Sequence, residues 1–186
     1  MKTTKSLLTG ALLLAVLTVA GTACSTTENS TRSQFKAEQA AMDSIAALKA
    51  EAALRAGDFV LEADQLVFKR GQTAYVQTTT NFISLADGKA VVQVAPFSGG
   101  GPNGVGGITV EGRASGVELT TDKRGTMRLH MSVLGVGISA TVDITLPEGA
   151  SRASAVISPN FNSQRITLNG DIVPTEESRA FKGRSL

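Results

Sequence analysis

From Asp58 onward apolar side chains recur at every second position, a spacing that buries one face of a strand and cannot build the stripe of a helix. The cleanest run is Val136, Ile138, Ala140, Val142, Ile144 and Leu146, alternating with Gly137, Ser139, Thr141, Asp143 and Thr145 and stopped by Pro147. Phe59, Leu61 and Ala63 set one parity and Leu66 and Phe68 the opposite one, which predicts a β-bulge near Asp64 and Gln65. A second strand follows Gly71 through the Thr-rich stretch from Tyr75 to Ile83, and Ala86, Asp87 and Gly88 turn the chain into Ala90–Ala95. Ile108, Val110, Gly112 and Ala114 make the next face. Val117–Thr121 then turns through Asp122–Gly125 into Met127, Leu129, Met131 and Val133, with Arg128 and His130 on the other side. Strands at Ala153–Ser158 and Arg165–Ile172 bring the total to about nine, the pattern of an antiparallel sandwich or a closed barrel.

The N-terminal third reads differently. Lys2 and Lys5 precede an apolar run, Leu7–Val19, that is too short to span a bilayer, and small residues lead to Cys24. Residues 1–23 read as a lipoprotein signal peptide, with Cys24 as the acylated residue of the mature chain, although Gly21 stands where a lipobox carries Leu; ordinary secretory cleavage after Ala23, leaving a free thiol, is the alternative. Residues 24–33 are polar and read as a tether. Residues 34–57 are rich in Ala, Glu, Lys, Leu and Arg and read as one α-helix, with Gly57 as its left-handed cap. Phe35, Met42, Ile45, Leu48 and Ala52 form the apolar stripe by which that helix is expected to pack on the domain, residues 58–186.

Cleavage before Cys24 changes the electrostatics. The whole chain has 18 Lys and Arg against 16 Asp and Glu, and the loss of Lys2 and Lys5 leaves 16 of each. A neutral mature chain with no polybasic run argues against nucleic-acid binding. The single cysteine is consumed at the anchor, so no intrachain disulfide is available. An outer-membrane barrel is disfavoured too: its aromatic girdles need more than one Tyr, seven Phe and no Trp.

Candidate chemistry is sparse. His130 is the only histidine, which disfavours the usual zinc sites; no metal or cofactor is expected. Ser132 follows it on the same strand face without any nucleophile elbow. Ser33–Lys36 matches S-x-x-K but lies in the tether region without a K-T-G partner. Glu62 and Asp64 share a face that reads as solvated, with too few apolar neighbours to raise a carboxyl pKa. Ser98–Gly107, SGGGPNGVGG, has six glycines in ten residues and runs into a strand, which excludes a phosphate loop. Gly99, Gly100, Gly101, Pro102, Asn103 and Gly104 are the candidate ligand-binding residues, as a flap at one end of the sheet; a plain turn-rich connection is the structural alternative.

The run GPNGVGGITVEG (Gly101–Gly112), with NFISLADGKAVVQVAP (Asn81–Pro96) before it, resembles the family called domain of unknown function 4251. So do ITLPEGASRASAVIS (Ile144–Ser158) and RITLNGDIVPTEESRAFKG (Arg165–Gly183). The resemblance implies a mainly β fold, a calycin or lipocalin-like antiparallel barrel, in small lipoproteins and secreted proteins of the Bacteroidota, and implies no enzyme activity.

The sequence thus points to an exported envelope protein, held in the outer membrane by lipid on Cys24 and facing the periplasm, since only one acid, Glu28, follows closely. One expected role is a non-catalytic module holding a small apolar ligand or lipid, in a cavity lined by some of Phe82, Leu129, Met131, Val136, Ile138 and Val142. The other is a structural or assembly lipoprotein engaging an envelope protein, with those side chains close-packed.

Overall fold

The computed structural model describes residues 25–95, 108–136, 139–160 and 165–180. Its elements are α1 (Ser25–Ala56), β1 (Phe59–Phe68), β2 (Thr73–Tyr75), β3 (Phe82–Ala86), β4 (Lys89–Val94), β5 (Ile108–Thr121), β6 (Met127–Gly135), β7 (Ser139–Leu146), β8 (Arg152–Pro159) and β9 (Ile166–Pro174). All neighbouring strands are antiparallel. β1 pairs with both β3 and β9, so β1 and β3–β9 close an eight-stranded barrel, with β2 alongside β1. The calycin or lipocalin-like barrel is the outcome, not the sandwich.

The alternation does what its period requires. Phe59, Leu61, Ala63, Leu66, Ile83, Leu85, Val92, Met131, Val142, Ile144 and Leu168 all enter one buried cluster inside the barrel. The parity change in β1 is a register shift between Ala63 and Gln65 against β9, at the place the sequence predicts. Asp87 and Gly88 carry φ of 50° and 72°, the left-handed pair of a two-residue hairpin turn. The apolar pattern beginning at Val136 runs ahead of its strand: β7 starts at Ser139, and Val136 is fully exposed.

Where the period fails, both faces are covered. In β1 Phe59, Val60 and Leu61 are buried consecutively, as are Ala90–Val94 in β4. Val60, Phe82 and Val91 make a second cluster on the outer face, against Val173 and Ala180. Continuously buried runs of this kind, apolar here but for Gln93, mark strands covered on both sides. Glu62 fastens the covering segment, accepting hydrogen bonds from the Ser178 hydroxyl at 2.7 Å and the Arg179 amide at 2.8 Å.

α1 begins at Ser25, inside the stretch expected to be a tether, and so is longer than the helix expected from residue 34. Once nucleated in the Ala-rich segment, a helix extends at little cost per residue. The chain up to Ala41 forms one compact unit; Met42 onward, with the barrel, forms another. In that second unit the docked face is not the expected stripe. Ala47, Ala50, Ala53 and Leu54 are buried, whereas Met42, Ile45, Leu48 and Ala52 are exposed, as is Phe35 in the first unit. Small side chains let the helix backbone approach closely, and Leu54 alone contributes roughly 1.5–3 kcal/mol by its burial. The helix ends in a Schellman motif: Asp58 N–H donates to Ala53 O at 3.1 Å and Gly57 N–H to Leu54 O at 3.3 Å, with Gly57 at φ 67°.

Candidate functional site

The barrel has two unlike ends. At one, α1 leads through Gly57 into β1 and buries Ala50, Ala53 and Leu54 in the core cluster, beside the short turns after β3, β5 and β7. At the other lie the end of β1, the end of β8 and the start of β9.

Between those ends the lumen is filled. Leu66, Met131, Val133, Val142, Ala155 and Leu168 each show 0% exposure. A side chain lining a void that admits water keeps accessible surface in it, so these residues meet other atoms on all sides. The expected cavity is therefore corrected, and close packing of these side chains is the outcome expected of the assembly role and not of a ligand held in the lumen. Leu129, Met131 and Val142 are close-packed, Phe82 faces outward into the second cluster, Val136 is in solvent, and Ile138 lies outside the described residues. The physical reason is that apolar side chains from eight strands of a barrel this narrow meet across its axis.

Among the described residues one cleft lies at the rim. A cleft of about 540 Å³ is lined by Val67, Phe68, Lys69, Ser158, Pro159, Arg165 and Thr167. That volume lies within the ~300–1,000 Å³ typical of small-molecule sites. Ring closure assembles it: Phe68 pairs with Ile166 and Val67 with Thr167 across β1 and β9, while Ile157 of β8 pairs with Ile166. Phe68 is half-buried against the core cluster and supplies an apolar floor. Val67 and Thr167 alternate with inward residues, so the cleft wraps over the rim onto the outer face. Its charged lining residues are Lys69 and Arg165, both cations.

A second cleft of about 370 Å³ lies on the outer face around His130, with Glu118, Thr120, Arg128, Asp143 and Thr145. His130 Nδ1 lies 2.7 Å from Asp143 Oδ1, and Glu118 is its register partner on β5. Leu129 and Ile144, which also border it, are buried with the barrel core and offer it no apolar floor. No group of three His, Cys, Asp or Glu able to hold a metal occurs among the described residues.

Glu62 and Asp64, read from sequence as solvated, are both engaged. Asp64 accepts two hydrogen bonds from Arg152, at 2.6 and 2.9 Å. The Arg152 hydrogen bonds hold its carboxyl below the usual aspartate range despite some desolvation, and the same bonds raise Arg152. A depressed carboxyl pKa stabilises the fold above the unfolded value of ~3.9, and that contribution is lost as pH falls through the folded value. Because the pair is half-exposed, Asp64→Asn is expected to cost under ~1 kcal/mol at neutral pH. Urea melts should show the difference from wild type closing in acid; a gap unchanged from pH 7 to pH 2.5 would show that the ion pair is not its source.

Cys24 and the candidate loop residues Gly99, Gly100, Gly101, Pro102, Asn103 and Gly104 lie outside the described residues. Sequence reasoning missed Lys69 and Arg165. Phe68 was legible as an inward residue, but nothing local signals that β9 closes onto β1 beside it. No helix among the described residues is long and apolar enough to cross a membrane.

A family model described as "Domain of unknown function (DUF4251)" matches residues 42–172. The crystal structure of a DUF4251 family protein from Bacteroides eggerthii is similar at 46% identity and a TM-score of 0.69, covering 79% of this chain and 99% of that one. No curated protein matches.

Proposed function

This chain belongs to the DUF4251 family, whose function is unassigned, and from that premise we propose that it is a lipid-anchored, non-catalytic binding module of the cell envelope. Its site is the rim cleft at Phe68, not the barrel lumen. The reading is carried by one observation: a cleft with a half-buried aromatic floor opens at the end of the barrel away from α1, while the lumen is filled. The ligand is small and at least partly apolar.

The anchor follows from the sequence. The signal-like residues 1–23 and the small residues before Cys24 support acylation there and an outer-membrane location, and the scarcity of acids after Cys24 supports a periplasm-facing domain. With the membrane held by acyl chains, the domain needs no lipid-binding surface for retention.

The test is an amide chemical-shift titration of the mature chain carrying Cys24→Ser, with octan-1-ol as a neutral probe. Shifts are expected at Val67, Phe68 and Thr167 and to be lost in Phe68→Asp. Shifts centred on Met131 and Val142 would place the ligand in the lumen and overturn the reading.

The exposed Met42, Ile45 and Leu48 on α1 favour a second reading, an assembly lipoprotein engaging an envelope protein. A rim cleft that takes no probe leaves that reading in its place.

A further inference from the structure

We propose that two copies of this chain associate through the open edge of β5, Val117–Thr121, each pairing antiparallel with the other about a twofold axis at Leu119. This association is independent of the rim cleft.

The strand register leaves that edge open. β4 covers β5 only from Ile108 to Arg113, and its contact ends where the Ala114 amide donates to Gly88 O at 2.9 Å. From Ser115 to Thr121 β5 pairs with β6 on one side, and among the described residues no strand pairs with it on the other. Gly116, at φ 58°, lies in the bulge between Ser115 and Glu118, which shields the edge up to that point. Beyond the bulge the edge carries neither a proline nor an inward-pointing charge. It carries apolar surface instead. Val117 is 46% exposed, and Leu119 is 36% exposed although it pairs with the buried Leu129, on the face that elsewhere fills the barrel.

A second copy fits this edge in one register. The Asp122 amide donates to Thr126 O at 3.0 Å, so by the alternation of an antiparallel ladder Glu118 and Thr120 turn their backbone groups to β6. Leu119 and Thr121 turn theirs outward. An axis at Leu119 lets the two Leu119 backbones bond each other, and sets Val117 against the partner's Thr121 and Glu118 against the partner's Thr120. Moving the axis by one residue would set Glu118 against itself or against the partner's Asp122, like charges face to face. In the Leu119 register Glu118 instead looks across the partner's Thr120 to Arg128, which pairs with Thr120 on β6. Their backbones would lie two strand spacings apart, about 10 Å, within reach of the two side chains. Neither Glu118 nor Arg128 has an ion-pair partner among the described residues. Self-pairing thus covers the exposed Val117 and Leu119 and brings two complementary charges into one row.

The test uses the mature chain carrying Cys24→Ser, in which Leu119→Cys or Thr121→Cys introduces a single thiol. Hydrogen-bonded antiparallel partners have Cα atoms ~5.5 Å apart, inside the range a disulfide spans, whereas the two Thr121 positions would lie ~14 Å apart along the strands. Under mild oxidation Leu119→Cys is expected to form a linked dimer at least about tenfold faster than Thr121→Cys. Sedimentation equilibrium of the parent chain should show a monomer–dimer equilibrium with a dissociation constant below ~1 mM. Leu119→Lys, which sets two ammonium groups together on the axis, should stay monomeric with an unchanged melting temperature. Equal cross-linking rates, or a dimer that survives Leu119→Lys, would overturn the proposal by placing the contact elsewhere. A parent chain that stays monomeric up to ~1 mM would also overturn it, and would leave the edge to an extended strand of a different protein. The sedimentation of the parent chain stands even if a variant is poorly folded.

Discussion

Gly170→Ala is expected to lower the thermal midpoint by roughly 10 °C, an overpacking cost of about 3 kcal/mol in a domain of this size. Gly170 is buried on β9 opposite Ala63, where β1 bulges. A Cβ there would sit 2.0 Å from Glu62 O and 2.6 Å from Ala63 Cα, and both are backbone atoms that cannot rotate away. β1–β9 is the pairing that closes the barrel, so the strands must separate locally to admit the methyl group. The same ladder holds Phe68 beside Ile166, so the rim cleft should loosen with it. Gly149→Ala serves as the comparison. Its φ of 66° strains any L-residue, by roughly 1–2 kcal/mol, but a Cβ there meets nothing within 4 Å. Calorimetric melts should therefore rank Gly170→Ala well below Gly149→Ala. Equal midpoints would mean that the close approach at the bulge costs no more than the backbone strain at Gly149.

Cys24→Ser is expected to abolish acylation and move the protein from the membrane fraction into the soluble fraction almost completely, provided the signal is still cleaved. On the proposed reading several acyl chains on Cys24 would supply the anchoring, at ~0.8 kcal/mol per buried methylene. A chain cleaved before Cys24 would lose Lys2 and Lys5 and carry 16 cations and 16 anions, which would offer no compensating attraction to anionic lipid. Fusing the Cys24→Ser chain to a signal cleaved by the ordinary secretory route separates anchoring from processing. Intact mass of the wild-type N-terminus gives the direct readout. A mature wild-type chain that starts at Cys24 with an unmodified thiol would remove the anchor from this account.

Much of the barrel was legible because one-sided burial writes a period of two into each strand. β6 shows why this works: Met127, Leu129, Met131 and Val133 are buried, while Arg128 and His130 are exposed. The bulge was legible for the same reason, since the parity of the apolar residues changes across Asp64. Three things were not legible. Covering of the outer face at Val60, Phe82 and Val91 depends on Val173 and Ala180, which are remote in sequence. The docked face of α1 is set by how closely a helix can approach the barrel, so Ala47, Ala50 and Ala53 win over the larger Met42, Ile45 and Leu48. The rim cleft is a product of closure, since Phe68 and Arg165 come together only when β9 returns to β1. Hydropathy alone also could not distinguish a filled lumen from a hollow one, because both need the same apolar inward faces.

The central claim is that the ligand sits on the rim and not in the lumen. A crystal structure of the mature chain carrying Cys24→Ser, grown with octanoate, tests it most directly. The account predicts the alkyl chain against Val67 and Phe68, with Met131, Val142 and Leu168 unmoved. Alkyl density between Met131, Val142 and Leu168, with the rim empty, would contradict it.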